Sequence, residues 1–214
     1  MSKKNLLLPL LFFITCSLLA QNTSISATSI LEKTAQKFNA LTAFSLDFTV
    51  KVEENEKTLL TLVGTAFGKN EKYFISLEEQ IIANDGKMMW NYQKLTNEAL
   101  LFDGADDDFL MFHPTKILNN WNKEYSAKFI KEDELQKKQV FVVDLMPKNK
   151  APFYKMRLFI DKTTSYIQQV VMYETDGAAI TYAVTKFTPN AIVADEKFTF
   201  NKKNYPNVEV IDMR

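Results

Sequence analysis

From Phe44 to Glu53 the side chains alternate without a break. Phe44, Leu46, Phe48, Val50 and Val52 are apolar, and Ser45, Asp47, Thr49, Lys51 and Glu53 are polar. A strand written this way has one dry face and one wet face, because successive side chains point to opposite sides of a sheet. The dry face must be covered, so the rest of the chain has to supply a surface for it. Strand-like runs recur at 58–68, 71–78, 80–84, 87–93 and 97–102, then at 125–131, 138–146, 153–161, 165–175, 178–187 and 196–200. Glu54-Asn55-Glu56, Asp85-Gly86, Lys162-Thr163-Thr164 and Asp176-Gly177 are the turns between several of them.

Two segments break this rhythm. Residues 27–41 read as an amphipathic helix, with Ile30, Leu31, Phe38 and Leu41 on one side and Thr28 or Ser29 as its cap. Near the middle, Asp106-Asp107-Asp108 precede Phe109-Leu110-Met111-Phe112, and Pro114 opens a helical stretch from Thr115 to Trp121. The sum is an N-terminal helix, roughly ten to twelve strands in meander order and a helical insertion. Short turns between sequential strands favour one large, curved antiparallel sheet.

The first twenty residues are laid out as a secretory leader. Lys3 and Lys4 give the positive start, Leu6 to Leu19 the apolar stretch, and Ala20 a cleavage point. We therefore expect a signal peptide over 1–20, a single domain over 21–214 and an exported protein. A lipid-modified Cys16 is the rival reading, although Phe13-Ile14-Thr15 lacks the small residues such processing prefers. Cys16 is the only cysteine, so the processed chain has no disulfide to rely on.

Charge and composition remove several function classes. Lys and Arg number 26 and Asp and Glu also 26, which gives no basic footprint for nucleic acid. With 5 Gly there is no Gly-rich phosphate cradle, and neither G-x-G-x-x-G nor a Walker-type motif occurs. His113 is the only histidine, and its position between Phe112 and Pro114 reads better as a helix boundary than as a general base. Asp106 to Asp108 lack the spacing of a calcium loop, and Lys148-Asn149-Lys150 reads as a solvated turn. No catalytic residue, metal ligand or cofactor is assigned. Apolar material is what the chain has in excess: 46% of residues are hydrophobic, including 17 Phe. Phe109 to Phe112 would point to nearly all sides of a helix, so they are either sandwiched in a core or they cover a cavity.

Several motifs, in order along the chain, carry a family resemblance. They are the helix followed by Leu41 to Val52, the Ile81-to-Tyr92 stretch containing Asp85-Gly86 and Trp90-Asn91-Tyr92, Phe109-Leu110-Met111 with the later Asn120-Trp121, and Lys197-Phe198-Thr199-Phe200 before a Val-rich strand. In these the chain resembles the LolA family of periplasmic lipoprotein carriers. The resemblance implies a mainly β fold: an open antiparallel β half-barrel of about eleven strands, closed over an apolar cavity by a helical lid. It implies that acylated lipoproteins are cargo, that an inner-membrane lipoprotein-releasing ABC transporter is the donor, and that the protein works in the periplasm as a monomer. The outer-membrane acceptor is not implied by any residue.

On that reading Phe44, Leu46, Phe48, Val50, Phe74, Trp90 and Tyr92 are expected to line the cavity. Phe109, Leu110, Met111, Phe112, Ile117 and Leu118 are expected in the lid. The family's Arg-Pro pair before the third strand is replaced by Lys69-Asn70-Glu71, which leaves Lys69 as the candidate latch. Period-two alternation makes each set co-facial without saying which face is concave. Two other readings stand beside the carrier: a secreted hydrolase using strand-borne carboxylates, and an envelope module that binds a protein partner by a sheet edge.

Overall fold

The structure, a computed structural model, describes residues 25–104 and 114–214. Helix α1 (Ala27–Asn39) starts at Ser26, whose hydroxyl accepts the Ser29 backbone N–H at 3.1 Å. The Ser26 N–H in turn donates to the Ser29 hydroxyl at 3.4 Å. The cap is thus two or three residues upstream of the expected Thr28 or Ser29, and Ser29 serves as its reciprocal partner.

Strands β1 (Phe44–Glu54), β2 (Lys57–Lys69), β3 (Lys72–Ser76), β4 (Gln80–Asn84), β5 (Met88–Gln93) and β6 (Glu98–Asp103) form a first meander. Helix α2 (Pro114–Glu124) precedes a second, made of β7 (Tyr125–Leu135), β8 (Lys138–Pro147), β9 (Phe153–Asp161), β10 (Ile167–Glu174) and β11 (Ala179–Pro189). A short last strand, β12, spans Glu209–Asp212. All belong to one twelve-stranded sheet in the order β12-β6-β5-β4-β3-β2-β1-β11-β10-β9-β8-β7. The two meanders meet where β1 pairs with β11, from Phe44 opposite Pro189 to Glu53 opposite Ala179. The sheet does not close on itself, so the fold is an open half-barrel with helices over one face.

Two expectations are corrected. Residues 196–200 do not form a strand; Asp195–Phe198 is a 3-10 turn. The alternation of Lys197, Phe198, Thr199 and Phe200 reflects a different cause. Phe198 is fully buried, while Lys197 lies 4.0 Å from the Phe74 ring centre. The sheet is also not wholly antiparallel, because β12 runs parallel to β6, with Val210 opposite Ala99. A chain returning across the sheet from β11 reaches that edge in the same direction as β6.

Turn chemistry sets the register. Asn55 and Glu56 have φ of 48° and 63°, the two positive values that let a two-residue loop follow the twist of β1 and β2. Between β4 and β5, Asn84 Oδ1 accepts the Gly86 N–H at 2.7 Å, and Asp85 Oδ1 accepts those of Lys87 and Met88, both at 2.9 Å.

Register then sorts side chains onto two faces. Phe48, Val50, Ala66, Tyr73, Ile75, Ile82 and Met89 cluster on the dry face of the first meander. Val143, Leu145, Met156, Leu158 and Val170 continue it across the second, where α1 adds Ile30, Leu31 and Phe38 and α2 adds Ile117 and Leu118. On the opposite face of the first meander, the segment after β11 covers a smaller cluster of Tyr92, Ala99 and Val208.

One close approach seats the Phe44 ring of β1 on β2. A Cβ at Gly68 would sit 2.3 Å from the Phe44 ring, so only glycine lets that ring lie on β2. Gly68→Ala is expected to destabilise the fold by about 1–3 kcal/mol through overpacking, read as a lower urea midpoint at unchanged m-value. A loss below about 0.5 kcal/mol, the size of an ordinary surface substitution, would mean that the ring can shift freely.

Candidate functional site

A hollow remains between the helices and the dry face where the two meanders join. Phe38 of α1 and Pro114 and Ile117 of α2 form its roof. Leu46 and Phe48 of β1, Leu158 of β9 and Val170 of β10 form its floor, with Tyr182, Val184 and Phe187 of β11 and Ile167 beside them. The empty space is about 680 Å³, counting its solvent-open side.

Local geometry explains the hollow. The pairing of β1 with β11 slips between Asp47 and Phe48, so Asp47 faces Lys186 while Phe48 faces Val184. A bulge of this kind bends the strand, and it falls at the cavity floor. One end is walled by aromatic rings. Phe38 meets Phe44 at 6.2 Å, Tyr166 at 5.4 Å and Phe187 at 5.9 Å between ring centroids, each edge to face. Phe44 and Phe187 stack at 5.9 Å. Such pairs fix ring orientation as well as area, so this wall resists collapse into the hollow.

Among the described residues, no charged side chain lines the cavity, and the one hydroxyl there is that of Tyr182. Burial, helped by the negative charge of Glu174, pushes that hydroxyl up to about 12. It stays neutral at any ordinary pH. The surface offered to a guest is therefore greasy and uncharged, suited to hydrocarbon and unsuited to an ion.

The expected cavity residues divide into two groups. Leu46 and Phe48 line the hollow, and Phe44 is buried in its aromatic wall. Val50 shares their face but packs one step away, in the cluster of Ala66, Ile75 and Met89. Phe74, Trp90 and Tyr92 point to the other face. Trp90 lies opposite Ala83 and Leu101, out of phase with Met89, which is the residue on the dry side. Trp90 stacks on Phe200 at 5.2 Å and Tyr92 lies 4.4 Å from Tyr205, so both anchor the C-terminal segment. Phe74 sits beneath Lys197 on that same side.

Ile117 reaches the cavity, whereas Leu118 is wholly buried in the core beside it. Phe109, Leu110, Met111, Phe112, His113, Cys16 and Asp106 to Asp108 fall outside the described residues. Lys69 shares the outer face with Phe67 and donates to Asp195 Oδ1 at 2.7 Å, while Lys72 reaches Oδ2 at 3.3 Å. Those two ammonium groups hold the Asp195 carboxyl below its usual range. Lys69 thus fastens the C-terminal 3-10 turn. Its turn neighbours Asn70 and Glu71 border a separate polar groove with Asn39, Asn119 and Asn120. Sequence reasoning missed Leu158, Val170, Tyr182 and Phe187 as cavity residues. The alternation of Ile180, Tyr182 and Val184 was the available signal, since it matches that of Phe48 and Val50 across the seam. Among the described residues, no group of three His, Cys, Asp or Glu is placed to hold a metal ion.

The Tyr182 hydroxyl gives a pH signature. Its folded value of about 12 lies above the free value of 10.0. Below pH 10 neither state ionises and stability is unaffected. Between about pH 10 and 12 the unfolded chain loses the proton while the folded chain keeps it, so folding weakens as pH rises. At about 1.4 kcal/mol per unit, the loss approaches ~2–3 kcal/mol. Urea unfolding of the wild type and Tyr182→Phe from pH 8 to about 12 checks this: the phenylalanine variant should lose that much less stability, and parallel curves would rule the effect out.

Comparison with known proteins gives four findings. A family described only as "-like: Uncharacterized protein" matches residues 115–199. An uncharacterized protein of Methanocaldococcus jannaschii is 24% identical over 202 residues, or 94% of this chain and 58% of that protein, so the chain spans little more than half of that curated relative. Among solved structures, an uncharacterized conserved protein from Thermus thermophilus is similar with a TM-score of 0.60 at 14% identity, covering 87% of this chain and 98% of that one. A LolA superfamily protein from Nitrosomonas europaea is similar with a TM-score of 0.44 at 12% identity, covering 83% of this chain and 99% of that one. The Thermus protein shares the fold of this chain.

Proposed function

We propose that the chain is an exported carrier that shelters acyl chains in the cavity between its helices and its half-barrel. The observation that carries this reading is the lining of the hollow: among the described residues, apolar side chains and one un-ionised hydroxyl. Only about 60 Å³ of the hollow admits a water-sized sphere in the present shape, against ~300–1,000 Å³ for sites that enclose one small guest, so it must widen to hold one. Residues 1–20 act as the leader and 21–214 as the carrier domain, working in the periplasm. The cargo is an acylated lipoprotein, received from an inner-membrane ABC transporter and handed on at the outer membrane.

The physics needs no covalent step. Burying a methylene is worth ~0.8 kcal/mol, so three acyl chains with ~40 methylenes would cost roughly 30 kcal/mol to expose to water. A cargo of that size exceeds the cavity in its present shape. Loading then requires α1 and α2 to move off the sheet. The Asn39 side chain donates to that of Asn119 at 2.8 Å on the exposed side of the two helices, and this bond would move with them as a unit.

Filling the hollow tests the proposal. Val170→Trp or Leu46→Trp, each checked for native circular dichroism, should weaken binding of an apolar fluorescent dye at least tenfold and remove acyl-chain adducts from native mass spectra of protein taken from envelope extracts. Unchanged dye binding in both folded variants would overturn the cavity as the binding site.

A further inference from the structure

Strand β2 is longer than its neighbour on one side. It pairs with β1 along its whole length, from Lys57 opposite Glu54 to Gly68 opposite Phe44. Its pairing with β3 begins only at Thr65. From Lys57 to Gly64 no described strand takes the other edge, and the backbone donors and acceptors there face outward. Open edges are normally guarded by charge, brevity or proline. The two terminal edges of this sheet follow that rule. Strand β7 carries Lys128, Lys131, Glu132, Asp133 and Glu134, and β12 is short, with Glu209 and Asp212. The β2 edge does not follow it. Thr58-Leu59-Leu60-Thr61-Leu62-Val63-Gly64 has no charge, and Leu59, Leu60 and Val63 are 61%, 46% and 67% exposed.

We propose that this edge pairs with the same edge of a second copy of the chain, antiparallel and two-fold symmetric about Thr61. The sequence is close to a palindrome around that residue. A two-fold axis there sets Leu60 against Leu62 on one face, and Leu59 against Val63 on the other. Directly opposed apolar pairs of this kind are what stabilise antiparallel strands. No like charges meet, because the pairing spans Leu59 to Val63 and stops short of Lys57, whose opposite position, Thr65, is already held by Ser76 of β3. A foreign strand could use the same hydrogen bonds, but only a second copy explains why the run matches its own reverse. The strip is narrower than the ~800 Å² per partner of a standard interface, so association is weak, concentration-dependent and little changed by salt. The pairing replaces the monomer expected from the sequence and is independent of what fills the cavity.

Analytical ultracentrifugation from about 1 µM to about 1 mM should show reversible dimerisation. Leu59→Lys combined with Val63→Lys should raise the dissociation constant at least tenfold. Against a change in folding, a second variant uses the axis directly. In a Cys16→Ser background, Thr61→Cys should form a disulfide-linked dimer under mild oxidation, because opposed Cβ atoms lie ~4.5–5.5 Å apart. Leu95→Cys, exposed in the β5–β6 turn, should not. A monomer across the whole range, a dimer indifferent to both lysines, or Thr61→Cys linking no faster than Leu95→Cys would each overturn the proposal.

Discussion

The packing of Phe38 on Phe44 and Phe187 is the contact on which the arrangement depends. Phe44 opens β1 and Phe187 lies near the end of β11, so the pair straddles the seam where two meanders become one sheet. Each meander alone would be a strip with one dry face. Joined at this seam, they share a floor that α1 covers with Ile30, Leu31 and the Phe38 ring. The hollow beside the rings follows from the same contact. α1 is pinned at its C-terminal end, and the bulge at Asp47–Phe48 bends the floor away from it. Gly68 matters for this reason rather than for backbone freedom: its missing Cβ is where the Phe44 ring lies.

What the sequence made legible, and what it hid, follow from the period of a strand. Alternation located most elements closely, including β4 at 80–84 and β9 at 153–161. It also placed Leu46 and Phe48 together correctly. It could not say that Met89 rather than Trp90 joins the cluster of Phe48 and Ile75 on the dry face, because β5 has apolar side chains on both faces. Both faces are dry there for different reasons. One lies toward the cavity, and the other lies under Phe200 and Tyr205. A sequence pattern records that a residue is buried, not what buries it. The same ambiguity made Lys197 to Phe200 look like a strand, when Phe198 is instead an anchor beneath a 3-10 turn.

Lys69 illustrates a second limit. A hairpin position can be aligned by motif, yet the direction of its side chain depends on strand phase. Lys69 is in phase with Phe67, and so its ammonium lies outside with Lys72, where Asp195 bridges both. The groove toward α2 is left to uncharged or turn-borne groups such as Asn70 and Glu71. A side chain that fastens the C-terminal segment cannot also hold the helices down. The Asn39–Asn119 bond ties α1 to α2, while apolar packing of both helices on the sheet holds the pair in place.

The cavity and the β2 edge differ in what they can recognise. Inside the cavity the described side chains offer no charge, so selection rests on shape and apolarity. Neutral Tyr182 adds a hydroxyl without a charge, which excludes ions more strongly than it attracts any particular guest. At the β2 edge the balance is reversed. Unpaired backbone groups supply direction and register, and the leucines add only area. A guest held by hydrocarbon can slide and leave as a unit, whereas a strand held by backbone bonds must match step for step. The two surfaces also lie on different parts of β1 and β2: the hollow beside Leu46 and Phe48, the open edge from Leu59 to Val63. Occupying one leaves the other free, so a paired molecule would keep both of its cavities.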